Sequence, residues 1–224
     1  MIMKKKAKFF RDAAWAQLKG NWGHAVLFTL VFFLINIALG TFGVISELIS
    51  AGVISGVVDS LWLDLLDSLL SIFISFPLSY GLSVSFLGYV RTGNDLTIGG
   101  MFDAFKANYG RTIGIGLLIG VMCVIGFILL IVPGVILAIA VSMSFYILKD
   151  NPELGVIDVI ERSIKMMKGH KMEYFCLGLS FIGWIILGIL SLGIGFMWIY
   201  PYICTADAHF YEYVKEDYES RANV

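Results

Sequence analysis

The sequence predicts an all-α fold: a polytopic membrane bundle of six transmembrane helices, paired as three hairpins, each preceded by an amphipathic interfacial helix. Three observations lead there. The 224 residues are 58% hydrophobic and 15% charged, with a mean hydropathy of +0.86, whereas a soluble domain carries roughly 45–50% apolar and about 25% charged residues. The apolar residues come in long runs, and those from Arg111 to Lys149 and from Glu173 to Asp207 hold no charge between their ends. All 16 Lys and Arg fall in clusters between the runs.

A crossing helix needs about 20 apolar residues for a hydrocarbon core of roughly 30 Å. Spans are expected at about 24–40, 66–90, 112–131, 134–148, 173–191 and 195–213. The first is centred on LFTLVFFLINIAL and the second contains Pro77. Each charge-free run is too long for one crossing and suits a tight hairpin, broken at Pro133-Gly134 and at Gly193-Ile194-Gly195.

Lys and Arg set the orientation. Lys4, Lys5, Lys6, Lys8, Arg11 and Lys19 precede span one; Arg91, Lys106 and Arg111 lie between spans two and three. Lys149, Arg162, Lys165, Lys168 and Lys171 lie between spans four and five, and Lys215 and Arg221 follow span six. Six spans put every basic residue on one side, so both termini are expected in the cytoplasm. The basic segment Met1–Arg11 is followed by no short apolar region with a cleavage site, so it reads as a retained end. Segment 41–65 has Glu47, Asp59, Asp64 and Trp62 but no Lys or Arg. It belongs outside, as an interfacial helix, a lid or part of a span.

The basic segments resemble one another. Lys19-Gly20-Asn21-Trp22-Gly23-His24, Lys106-Ala107-Asn108-Tyr109-Gly110-Arg111 and Lys165-Met166-Met167-Lys168-Gly169-His170 each place Gly four residues after Lys, then a basic or potentially basic residue. Tyr89-Val90-Arg91, Tyr146-Ile147-Leu148-Lys149 and Tyr213-Val214-Lys215 close the hairpins. Before each Lys comes an amphipathic stretch: Phe10, Ala14 and Leu18; Ile98, Phe102 and Phe105; and Ile157, Ile160, Ile164 and Met167, opposite Asp158, Glu161, Arg162, Lys165 and Lys168. Such helices can lie in the interface with the apolar face on the acyl boundary, and the Gly turns the chain into the bilayer. The expected units are 5–93, 94–150 and 151–217, parallel repeats about the membrane normal. Lys19, Lys106, Arg111, Lys165 and Lys168 are the expected basic contacts with lipid.

Arg11–Gly23 (R-D-A-A-W-A-Q-L-K-G-N-W-G) and Ser163–Gly169, with Leu179–Trp184, Gly193-Ile194-Gly195, Trp198, Pro201-Tyr202 and Phe210-Tyr211, resemble a bacterial membrane-protein family known as domain of unknown function 975. No motif attaches to residues 41–100. The resemblance implies a bacterial cytoplasmic-membrane protein of this helical architecture and supplies no activity.

Candidate chemistry centres on Asp207, the one ionisable residue expected well inside a span, where a carboxylate costs about 2.5–3.5 kcal/mol. It either serves a proton or cation pathway with His209, Thr205 and Tyr202, or lies near the cytoplasmic surface and pairs with an interfacial Lys or Arg, or is simply protonated. Asp207 and His209 are two apart and share no helical face. Pro77 and Pro201 break the backbone ladder, and freed carbonyls can line a site or merely serve packing. Gly116 with Gly120, and Gly52 with Gly56, suit close helix packing; Asn36 suits an interhelical hydrogen bond, and His24 and His170 a shared structural role. Cys123, Cys176 and Cys204 read as small buried hydrophobes. No P-loop, H-E-x-x-H or G-x-S-x-G is present, so no enzyme, cofactor or metal is expected. Two functions stay open: transport or handling of a small or lipidic substrate, and a non-catalytic scaffold or accessory subunit. The expected partners are membrane lipids and a membrane protein or second copy, not nucleic acid.

Overall fold

The computed structural model describes residues 5–51, 60–93, 96–106 and 108–222. Among them the chain is helical throughout and carries no strand. The helices are α1 (Ala7–Leu18), α2 (Trp22–Ser50), α3 (Ser60–Leu70), α4 (Phe76–Thr92), α5 (Ile98–Met101), α6 (Asp103–Lys106), α7 (Tyr109–Leu129), α8 (Ile131–Val141), α9 (Ser144–Asp150), α10 (Val156–Met166), α11 (Lys171–Ser180), α12 (Ile182–Leu190) and α13 (Phe196–Ala222). Five segments are long and apolar enough to cross a membrane: Trp22–Ile49, Trp62–Thr92, Tyr109–Ile128, Ile131–Asp150 and Lys171–Leu190. They leave large apolar side chains such as Ile128, Ile131 and Leu190 more than 70% exposed, a surface compatible with a bilayer and costly in water. α13 is not among the five: Asp207 lies near its middle, and Glu212, Lys215, Glu216 and Asp217 fill its second half.

The apolar stretch around the first expected span is longer than its hydropathy core. α2 runs to Ser50 and α3 begins at Ser60, so most of the described part of 41–65 continues the two helices. Asp59 and the Gly52–Gly56 pair lie outside the described residues. α2 packs antiparallel on α3 and α4: the Phe28 and Phe86 rings are 5.8 Å apart, and a Cβ on Gly43 would stand 3.2 Å from Asp67 Oδ2.

Pro77 shows how the second apolar segment holds its break. In a regular helix a residue at 77 would donate its N–H to the Phe73 carbonyl, and Pro has none. A π-helical turn at Ser71–Ser75 widens the backbone there, and the Tyr109 hydroxyl donates to Phe73 O at 2.9 Å. The freed carbonyl is thus filled by a side chain 36 residues away, as an apolar surround requires.

Tyr109 reaches that carbonyl because the connection after Gly93 climbs back along α4. The second expected interfacial helix is therefore not one helix but two single turns, α5 and α6, packed on α4. Ile98 and Phe102 are exposed, and Met101 is the residue fully buried. Contact is so close that a Cβ on Gly81 would lie 1.9 Å from the Met101 carbonyl oxygen.

α1 buries the stripe Phe10, Ala14 and Leu18 completely, yet protein covers it, not lipid. α1 lies antiparallel along α13, with Phe10 on Phe210 at 5.1 Å and Trp15 on Tyr202 at 5.7 Å, and it also touches α11. α10 buries Val159, Ile160, Ser163 and Met166 and leaves Ile157 73% exposed, so its buried face is rotated from the expected one. Ser163 donates to Ala140 O at 2.9 Å and pins α10 to α8.

The turns after α1 and α10 share one device. Gly20 and Gly169 take φ of +96° and +95°, open to glycine and strained for other residues. In the middle segment Asn108 takes the positive φ, while Gly23 and Gly110 lie inside helices. The hinge glycine is thus the fourth residue after Lys only in the third segment. Asn36 bonds its own helix, at Phe32 O, and not a neighbour. Gly116 meets the Phe76 ring, but nothing lies within 4 Å of a Cβ on Gly120.

Candidate functional site

The C-terminal ends of α4 and α9 meet on the flank of α13. Arg91 Nη1 and Nη2 donate to Asp150 Oδ1 and Oδ2, both at 2.7 Å, and Arg91 Nε donates to Glu212 Oε1 at 2.7 Å. The Tyr211 hydroxyl and Lys215 Nζ donate to Asp150 Oδ2 at 2.8 and 2.7 Å. The Asp150 side chain is 11% exposed and both oxygens are occupied. Above it Tyr146 stacks on Tyr211 at 5.0 Å. A fork on a carboxylate fixes direction as well as distance, so this knot ties the ends of α4 and α9 to one level along α13.

A second cluster joins α11 to α13. His170 Nδ1 lies 3.1 Å from Glu173 Oε2 and Nε2 lies 2.9 Å from Asp217 Oδ2. Arg221 bonds Asp217 and donates to Lys168 O at 3.2 Å. His170 is buried at 5% exposure whereas His24 is exposed, so the two have different surroundings.

The four expected pathway residues face different neighbours around α13. Thr205 is buried and donates to Pro201 O at 2.7 Å, so its hydroxyl serves its own helix. Asp207 meets the Tyr174 hydroxyl on α11. His209 lines a cavity of about 340 Å³ with Lys5, Phe9, Glu212, Tyr213 and Glu216, its Nε2 buried without a partner among the described residues. Tyr202 belongs to a cleft of tryptophans. Of the expected lipid contacts, Lys19 and Lys168 are exposed, Lys106 and Lys165 pair with Asp103 and Glu161, and Arg111 donates to Asn108 Oδ1.

The tryptophan cleft holds about 310 Å³ and is lined by Trp15, Trp22, Trp184, Trp198, Ile199 and Tyr202. Four of the chain's five tryptophans thus gather in one place. Tyr202 is its hub: its ring lies 5.7 Å from Trp15, 6.4 Å from Trp22 and 6.0 Å from Trp184, with Phe181 behind it at 5.2 Å. The Gly20 turn brings Trp22 back onto Trp15 at 5.3 Å. Trp15, Trp184 and Trp198 keep 48%, 37% and 48% of their surface exposed, so the cleft opens outward. Another groove of about 330 Å³, between α8 and α11, contains no tryptophan. Sequence reasoning missed the cleft, whose walls come from residues 15–22 and 184–202, and it missed Asp150, Glu212 and Asp67. Asp67 Oδ1, in α3, is buried without a partner among the described residues.

These features define a class: an all-helical protein with five helices long and apolar enough to cross a membrane. Within that class the family described as "Protein of unknown function (DUF975)" matches residues 58–218, more than two thirds of the chain, and the chain belongs to it. The match takes in part of 41–100, where no motif could be attached, and leaves out Arg11–Gly23. No curated protein and no solved structure matches the chain.

Proposed function

We propose that this is a six-span protein of a bacterial cytoplasmic membrane, with both termini in the cytoplasm, that binds and handles a lipidic substrate. The tryptophan cleft carries the reading. An apolar hollow lined by four indoles and open at the exposed apolar surface suits an acyl chain, because aromatic rings offer large contact area at low entropic cost. The knot that ties the ends of α4 and α9 to Tyr211, Glu212 and Lys215 of α13 supports the sixth span: α13 turns polar at the level where its two neighbours end.

The test is photo-crosslinking with a lipid that carries a diazirine on its acyl chain. Cross-links are expected to concentrate on α1, α12 and the first turns of α13, and to drop severalfold in the Trp184→Ala/Trp198→Ala double variant while its melting temperature stays near that of the parent. Labelling spread evenly over all apolar helices would count against the reading.

A further inference from the structure

We infer that the cleft takes an anionic membrane lipid, with an acyl chain among the indoles and the acidic headgroup on the Arg11 guanidinium. This rests on the cleft reading above and adds the headgroup class. Arg11 stands one turn before Trp15 on α1, and its Nη1 donates at 3.0 Å to the carbonyl of Ser180, which stands one turn before Trp184. The guanidinium therefore sits between α1, which carries Trp15, and the end of α11, one turn before Trp184, and the charges of both Arg11 and Asp12 reach the Tyr202 hydroxyl.

Arg11 is incompletely served by protein. A guanidinium presents five donors, and the Ser180 carbonyl is the acceptor that Arg11 holds among the described residues; its Nε is buried with no partner. Arg91 and Arg221 each rest on carboxylates. Asp12, the acidic neighbour of Arg11 in sequence, is exposed. A buried donor without an acceptor is costly, and the acceptor matching a planar fork beside an apolar cleft is the phosphate or carboxylate of an amphiphile. The exposed Lys6 and Lys8 beside it would attract the same charge from the membrane surface.

Tryptophan fluorescence tests this directly. In the Trp62→Phe protein every remaining indole lines the cleft. Reconstituted in phosphatidylcholine nanodiscs, it is titrated with acyl-brominated phosphatidylglycerol or acyl-brominated phosphatidylcholine. Quenching is expected to saturate, with the phosphatidylglycerol midpoint at about fivefold lower mole fraction, the effect of one well-placed cation. Arg11→Gln should bring the midpoints within twofold, Arg11→Lys should keep most of the gap, and Lys8→Gln, which removes an exposed charge, should leave it. Equal midpoints in the Trp62→Phe protein overturn the headgroup inference while saturable quenching keeps the cleft. Loss of the gap in Lys8→Gln as complete as in Arg11→Gln also overturns it, since diffuse attraction would then suffice. Quenching that rises linearly with mole fraction for both lipids removes the cleft reading itself.

Discussion

The knot at Asp150 and the flank at Arg11 are both built around a guanidinium, and they are finished to different degrees. At the knot, Arg91, Tyr211 and Lys215 fill both carboxylate oxygens, and the remaining guanidinium nitrogen goes to Glu212. On the flank, Arg11 has one carbonyl and a bare buried Nε beside an apolar hollow. A polar group that the protein satisfies itself is part of the scaffold. One left unsatisfied next to a cavity leaves an opening for a water, an ion or another molecule. The contrast divides the molecule into an end that holds it together and a side that meets a ligand.

The largest effect should come from opening the finished end. Asp150→Asn leaves Arg91 and Lys215 without their shared anion. It is expected to destabilise the protein by about 3 kcal/mol, at the low end for a broken buried pair because both cations stay partly exposed. Thermal melting in detergent checks it, and a shift of under a degree would make the knot ornamental. Next in size is Gly81→Ala, whose new methyl would collide with the Met101 backbone; overpacking of this kind costs about 2 kcal/mol. Unlike Asp150→Asn, it should also expose residues 96–106 to protease, because the collision pushes that segment off α4.

What the sequence revealed follows from how far each interaction reaches along the chain. Helices were legible because apolar runs and charge gaps are local, and the Phe10–Ala14–Leu18 stripe was found for the same reason. What covers that stripe is α13, almost two hundred residues away, and nothing local distinguishes a helix neighbour from an acyl chain. Arg91 and Lys215 stood out as markers of sidedness, but their common acceptor did not, because Asp150 is one acid among 17 Asp and Glu. The cleft was hidden by the same distance: Trp15 and Trp184 are ordinary interfacial residues until the fold brings their rings to 6.4 Å.

Between finished and unfinished lies the Pro77 break, a defect the protein repairs with Tyr109. Tyr109→Phe removes the donor to Phe73 O and should cost about 1 kcal/mol, since an unsatisfied carbonyl costs about 1–3 kcal/mol and Tyr109 is partly exposed. In a Pro77→Ala background the N–H of residue 77 can fill that carbonyl, so the same change should then cost almost nothing. The double-mutant cycle, read by melting temperature, isolates the repair. Equal losses in both backgrounds would show that Tyr109 acts through packing alone.

The smallest expected change sharpens the comparison most. Arg11→Met removes one hydrogen bond together with one unpaired buried donor, and these nearly offset each other. In lipid-free detergent the melting temperature should move by the equivalent of no more than about 0.5 kcal/mol, because an incompletely paired buried charge adds little to stability. Adding an anionic lipid separates the proteins: ligand binding stabilises the folded state by mass action, so the parent should gain more from phosphatidylglycerol than from phosphatidylcholine, and Arg11→Met should gain about equally from the two. Asp150→Asn, with its flank intact, should start lower yet keep the full lipid-dependent rise. If Arg11→Met instead fell as far as Asp150→Asn without lipid, Arg11 would be as structural as Arg91, and the flank would be finished after all.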